Sequence, residues 1–319
     1  MKQYLVTGGA GFIGSHIVQA LLEQNAVVRV LDNFSSGKHQ NIDELMKLKA
    51  AGILEIYEGD IRDPVKVTEV VAGVDVIFHA AAFVSVPASM DKPQDCFDVN
   101  ITGTTLLFEA ARKAGVRRVV IASSAAVYGD ADVMPIKEDI ELRPMSPYAV
   151  SKRVTEMFGE LYTQSFGLEV VALRYFNVYG PRQQPDSMYA AAIPIFLGRM
   201  MNGKSATVFG DGKQTRDFIF IDDVVRANLI AAEHPAAAGR VFNVCSGSEI
   251  SVLDLLDVIH NFCPNAPENV FAEPRAGDIY KSIGSNELAK RLLGFEAQVG
   301  LDIGLKKTSG WMFFHKKNI

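Results

Sequence analysis

The sequence predicts an α/β protein, a doubly wound parallel sheet followed by a smaller C-terminal α/β lobe. Three observations point there. Short β-branched runs alternate with helical stretches through the first half, the order that parallel strands with crossover helices require. The runs VDVIFHA and RRVVIAS are apolar on both faces, as strands covered by helices on either side must be. Beyond about residue 177 the rhythm shortens, punctuated by Pro181, Pro185, Pro194, Gly198, Gly203, Gly210 and Gly212.

Taken in order, the strand-like runs are 3–7, 27–31, 54–58, 74–79, 118–122 and 169–174. Helical stretches fill the gaps at 12–24, 65–71, 102–113 and 148–165. The last has a clear start, with Ser146 suited to the N-cap and Pro147 to the first helical position. In the second half, helices are expected at 222–233, 252–261, 286–293 and 302–314. This divides the chain into residues 1–176, with returning segments near 215–245, and a lobe made mainly of 177–319.

Composition narrows the function. The 319 residues are 48% hydrophobic and 22% charged, with a formal charge of −5. That is an ordinary globular balance, with no electrostatic reason to expect nucleic acid. Cys96, Cys245 and Cys263 are widely spaced, without CxxC or Cys/His grouping, so neither a disulfide framework nor a metal site is expected. With no secretory signal pattern and no membrane-length apolar run, the expected address is the cytoplasm.

Gly8-Gly9-Ala10-Gly11-Phe12-Ile13-Gly14 joins the first strand to the first helix. It satisfies G-x-G-x-x-G through Gly9, Gly11 and Gly14, and the GxxGxxG spacing through Gly8, Gly11 and Gly14. Such a turn lets backbone approach a pyrophosphate, while the helix N-terminus faces the negative charge. Asp32 closes the second strand. A carboxylate there accepts from adenosine ribose hydroxyls and repels a 2′-phosphate, favouring NAD over NADP; the alternative is a plain turn residue. Asp60-Ile61 after the third strand is placed to reach the adenine edge, and Ala80-Ala81-Ala82 after the fourth leave room for a cofactor.

Tyr148 and Lys152 sit one turn apart on a helix face. Ser123-Ser124 lies at the end of the fifth strand, where such sheets place ligands. A free tyrosine has a pKa of about 10, so it needs help to act as a base near neutrality. An ammonium and an oxidised nicotinamide nearby both favour phenolate, and a serine hydroxyl can hold the substrate oxygen. The bland alternative is a packed tyrosine and a solvated lysine.

TGGAGFIG, LDNFSSGK, FHAAAFVSVPASMDKPQDCFDVNITGT, ASSAAVYG, SPYAVSK and LRYFNVYGPRQ together resemble the nucleotide-sugar 4-epimerases of the UDP-galactose 4-epimerase family, extended short-chain dehydrogenases/reductases with a Rossmann-type sheet. The resemblance runs to about residue 285. It implies Ser124, Tyr148 and Lys152 as the catalytic set. It adds Phe12, Ile13, Asn33, Ser36, Gly37, Asn100 and Tyr175 to the NAD site, and implies a homodimer whose interface could use 102–113 and 148–165. Related dehydratases and decarboxylases carry an acidic residue before VYG. Here Ser124-Ala125-Ala126 stands instead, which favours simple redox at one carbon.

For a UDP-sugar, the resemblance implies Asn177, Ala191, Ala192, Ile193, Val208, Phe209, Arg216, Arg275 and Asp278. Two guanidiniums can bracket a diphosphate, and GDGKQTRDF and EPRAGD set glycine beside arginine. Ser282 stands where relatives with a bulky tyrosine crowd the sugar C2 substituent. With Ala191, Gln183 and Ser85 it resembles the branch preferring N-acetylated sugars, so interconversion of UDP-N-acetylglucosamine and UDP-N-acetylgalactosamine is expected. Alternatives are UDP-glucose/UDP-galactose or UDP-glucuronate 4-epimerisation, a nucleotide-sugar reductase revealed by stoichiometric NADH change, and a non-catalytic NAD-binding regulator.

Overall fold

The apolar runs form strands and the amphipathic stretches form helices that cover both faces of the sheet. The structure is a computed structural model that describes residues 2–48, 51–183, 192–274 and 279–316. The first half runs β1 (Gln3–Thr7), α1 (Phe12–Glu23), β2 (Val27–Asp32), α2 (His39–Met46), β3 (Ile53–Glu58), α3 (Pro64–Val71) and β4 (Val76–His79). Next, α4 (Val86–Asp91) and α5 (Pro93–Phe97) lead through a π-helical turn, Asp98–Gly103, into α6 (Thr104–Ala114). Then come β5 (Arg118–Ser124), α7 (Pro147–Phe166) and β6 (Glu169–Tyr175). The chain continues with β7 (Asn177–Tyr179), α8 (Ala192–Met200), β8 (Thr207–Phe209), β9 (Thr215–Arg216), β10 (Phe218–Phe220) and α9 (Ile221–Glu233). It closes with β11 (Val241–Val244), β12 (Ile250–Ser251), α10 (Val252–Phe262), β13 (Val270–Ala272), β14 (Lys281–Ser282), α11 (Glu287–Leu293) and α12 (Leu301–Lys316).

Seven parallel strands form the main sheet in the order β11-β6-β5-β4-β1-β2-β3. The order reverses at β1 and β4, and a crevice opens there beyond the carboxyl ends of the strands. Side chains alternate between two cores. Val6, Val28, Val30, Phe78 and Leu173 pack with Ile17, Val18 and Leu21 of α1 and with α9. Leu5, Leu31, Ile77, Val119 and Ile121 pack with α3 and α6. Burying each such side chain stabilises by about 1.5–3 kcal/mol, so a strand that loses register loses both faces. The doubly wound expectation holds.

Several elements differ from the sequence reading. β5 extends to Ser124 because Ser123 and Ser124 continue the ladder opposite Arg174 and Tyr175. Helix α2 has only Asn41, Ile42 and Leu45 buried, too narrow a stripe to stand out. Helices α4 and α5, absent from the expected set, carry prolines at their opening positions, where a missing N–H costs nothing. The four residues of β11 join the main sheet beside β6. Small sheets pair β9 with β12 and β14, β8 with β13, and β7 with β10.

All three cysteines are buried and unbridged. Among the described residues, no helix is long and apolar enough to cross a membrane and no cluster of metal-ligating side chains occurs.

Candidate active site

A cleft of about 980 Å³ runs along the carboxyl ends of the strands. Gly8, Gly11 and Gly14 line it, so the three-residue spacing is the one that faces ligand. Gly9 instead packs toward the core, where an added Cβ would stand 2.8 Å from Val30. Gly8 has φ +71°, and a Cβ on it would lie 2.6 Å from the Ala81 amide nitrogen; one on Gly14 would collide with the Gly8 carbonyl. The N-cap of α1 is Gly11, which has no side chain to cap it and so leaves its opening amides for an anion.

Asp32 is 7% exposed. Its Oδ2 accepts from the Ala10 amide at 2.9 Å and its Oδ1 from the Phe34 amide at 2.8 Å. Burial pushes its carboxyl up, while those two bonds pull it down. Gly37 packs against it, leaving 2.7 Å for any Cβ. Asp60 and Ile61 also line the cleft. The Arg62 guanidinium clamps Asp60 at 2.9 and 2.8 Å and holds its carboxyl well below the usual range; Asn33 adds a bond at 2.7 Å. Ser36, Ala80–82 and Tyr175 complete the expected lining.

At the far end, Ser123, Ser124 and Tyr148 face the same space. Ser146 caps α7 by accepting from the Ala149 amide at 3.1 Å. The Ser124 hydroxyl accepts from the Ala126 amide at 3.2 Å and lines the cleft together with the Tyr148 phenol. Lys152 is 6% exposed; its Nζ donates to the Ala122 carbonyl at 2.7 Å and lies 5.7 Å from the Tyr148 ring centre. Burial lowers its pKa to about 8. Burial raises that of Tyr148, and the Ser124 hydroxyl only partly opposes this. Burial of the phenol thus works against the lowering expected from the Lys152 ammonium.

Asn100 lies in the π-helical turn, beneath the cleft wall. Its Oδ1 accepts from the Phe83 amide at 2.7 Å, and its Nδ2 donates to the Phe83 carbonyl at 3.1 Å and to Ser151 Oγ at 2.9 Å. It acts on the wall rather than forming it.

The glycine cradle, Asp32, Ser124 and Tyr148 thus line one crevice, with Lys152 beside the Tyr148 ring. Residues 4–245 match the NAD dependent epimerase/dehydratase family. The chain belongs to that family. A putative UDP-glucose 4-epimerase of Methanocaldococcus jannaschii is 38% identical over 309 residues, covering 97% of each chain. The structure of a Thermotoga maritima UDP-glucose 4-epimerase with UDP-glucose is similar at a TM-score of 0.91 and 38% identity, covering 99% of this chain and 100% of that one. A UDP-N-acetylglucosamine 4-epimerase from Methanobrevibacter ruminantium, in complex with UDP-N-acetylmuramic acid, gives a TM-score of 0.92 at 36% identity, covering 98% and 99%. The chain is an enzyme of the extended short-chain dehydrogenase/reductase type, and NAD is its cofactor.

The lobe residues of this epimerase/dehydratase chain are placed less uniformly. Gln183 lines the cleft, with its Nε2 donating to the Val178 carbonyl at 3.0 Å and its buried Oε1 unpaired among the described residues. Ser85 caps α4, accepting from the Ala88 amide at 3.1 Å. Asn177 donates to the Asp217 carbonyl at 2.8 Å. Arg216 and Ser282 are neighbours in register on β9 and β14. Ala192 and Ile193 open α8, and Val208 and Phe209 end β8. Ile193 and Val208 belong to the core, so only their main chain is available to a ligand. None of these except Gln183 lines the described cleft. Ala191, Arg275 and Asp278 lie outside the described residues.

Sequence reasoning missed Lys38, Asn41, Arg62, Phe83, Phe176 and Arg182 in the lining. Arg182 stood within the GPRQ motif and was assigned no role. It has φ +65° and reaches Gln19 of α1 at 2.9 Å and Glu44 of α2 at 3.5 Å.

Proposed function

We propose that this enzyme inverts the 4-hydroxyl of a UDP-hexose through a transient 4-keto sugar, with UDP-N-acetylglucosamine and UDP-N-acetylgalactosamine as its preferred pair. The observation that carries the reading is that Ser124 and Tyr148 line the crevice that holds the glycine cradle, with Lys152 buried 5.7 Å from the Tyr148 ring centre. Alanines follow Ser124 where an elimination would use a carboxylate.

NAD, when bound, supplies the two-electron acceptor and donor for C4, and a positive ring that favours phenolate beside it. The uncapped start of α1 binds the diphosphate, and Asp32 accepts from the adenosine ribose. Tyr148 removes the proton from the 4-hydroxyl and returns it after the ketone has presented its other face. Ser124 orients that oxygen. Lys152 holds charge beside the phenol and keeps the end of β5 in place.

Support for the acetylated pair comes from the small Ser282 beside Arg216 and from the named activity of the Methanobrevibacter relative. The UDP-glucose epimerases among the relatives make the plain pair the second reading. A homodimer through α6 and α7 and a cytoplasmic address belong to the same proposal. Met157 and Leu161, 52% and 47% exposed on α7, support the dimer, which sedimentation would test.

The deciding experiment incubates the purified enzyme with UDP-glucose, UDP-galactose and their N-acetylated counterparts and identifies products by NMR. Formation of 4-epimers without net NADH is expected, faster for the acetylated pair. Tyr148→Phe should depress kcat by about 10²-fold or more; near-normal turnover would end the assignment.

A further inference from the structure

Glu156 lies one helical turn past Lys152 and two past Tyr148, so the three share a face of α7. All three reach the end of β5. Tyr148 lines the cleft with Ser124, Lys152 donates to the Ala122 carbonyl at 2.7 Å, and Ser123 Oγ donates to Glu156 Oε1 at 2.6 Å. The Glu156 side chain is 0% exposed. Arg174 of β6 stands opposite Ser123 in register and grips both Glu156 oxygens at 2.8 Å. It also donates to Tyr128 Oη at 2.8 Å and to the Glu138 carbonyl at 3.0 Å.

A buried ion pair contributes little net stability over an apolar pair of the same shape, so its placement calls for another reason. The groups facing Lys152 are Cys96 of α5, His79 of β4, and Tyr148 and Glu156 of its own helix, with Arg174 of β6 behind Glu156. Burial keeps the His79 ring uncharged and raises the Cys96 thiol. Glu156 thus carries the formal negative charge in this group, paired also with Arg153 of its own helix at 3.4 Å, and after Cys96 it opposes the burial that disfavours the Lys152 ammonium.

We propose that Glu156 is a positioning residue, whose buried carboxylate keeps Lys152 an ammonium and fixes the strand end that presents Ser123 and Ser124. The assignment rests on Tyr148 and Lys152 acting together as proposed above.

The test is the pH dependence of kcat for the holoenzyme and for Glu156→Gln, Glu156→Asp and the double variant Glu156→Gln/Arg174→Met. The double variant guards against misfolding, because Glu156→Gln alone strands the Arg174 charge. Loss of the carboxylate should move the alkaline limb of kcat down by about one pH unit in Glu156→Gln, and by a smaller step in the double variant, where the more distant Arg174 charge is lost with it. KM for the sugar nucleotide should change little, and Glu156→Asp should keep the limb near its wild-type position. A limb superimposable on wild type in a folded Gln variant overturns the proposal. Tyr148→Phe separates the two failures: if it still turns over, the reading of the site falls, whereas if it is inactive and the limb does not move, only the role of Glu156 falls.

Discussion

Asp32→Asn changes one atom and tests how this enzyme selects its cofactor. Each carboxylate oxygen of Asp32 already accepts one backbone N–H, from Ala10 at 2.9 Å and from Phe34 at 2.8 Å. An ionised carboxylate has about four acceptor sites, so roughly two remain for ribose hydroxyls. An asparagine carbonyl can satisfy only one of the two amides, and its NH₂ group must face the other. One buried donor is then left without an acceptor, at a cost of about 1–3 kcal/mol to folding stability, in the free and the NAD-bound enzyme alike. Loss of the charge-assisted bonds to ribose weakens NAD binding by a term of similar size. Because about 1.4 kcal/mol is a factor of ten, NAD affinity should fall by roughly 10- to 100-fold. The repulsion against a 2′-phosphate disappears at the same time, so the preference for NAD over NADP should narrow by about tenfold or more. Displacement of bound NADH by NAD and by NADP, followed by fluorescence, measures both. Unchanged NAD affinity with no gain for NADP would show that Asp32 only shapes the turn.

Ser282→Tyr should lower the ratio of kcat/KM for acetylated over plain UDP-hexoses, and an unaltered ratio removes the size argument. His79, held between Thr7 at 2.6 Å and Thr104 at 2.8 Å, has its pKa pushed down to about 3 by burial. The unfolded chain therefore takes up the proton first, and stability is lost as pH falls from about 6.5 toward 3, at up to about 1.4 kcal/mol per pH unit from this group. The stability gap between wild type and His79→Asn in urea should shrink as pH falls through that window; parallel curves would contradict the burial of a neutral ring. Arg118 is 2% exposed and binds Glu169 at 2.8 Å and the carbonyls of Ala231 and His234 at 2.8 and 2.9 Å. Arg118→Met should cost about 3 kcal/mol of stability and leave NAD affinity intact, because it lies at the opposite end of β5 from Ser124.

The parts of the site legible in the sequence are those that local geometry specifies. Three glycines spaced by three, directly between a strand and a helix, can face one anion whatever surrounds them. Tyr148 and Lys152 share a face because helices repeat every 3.6 residues, and Ser124 follows them to the cleft because parallel strands end on one side. Asp32 was found for the same reason.

Other features depend on residues distant in sequence. Asn100 reaches Phe83 and Ser151 from a π-helical turn that no periodicity announces. Glu156 meets Arg174 and Ser123 from three different elements. Burial raises the pKa of Tyr148, and burial is set by how α7 settles against the sheet. Spacing along the chain determines which groups can share a face. Which charges lose water, and which partners replace it, is decided only once distant segments have packed together.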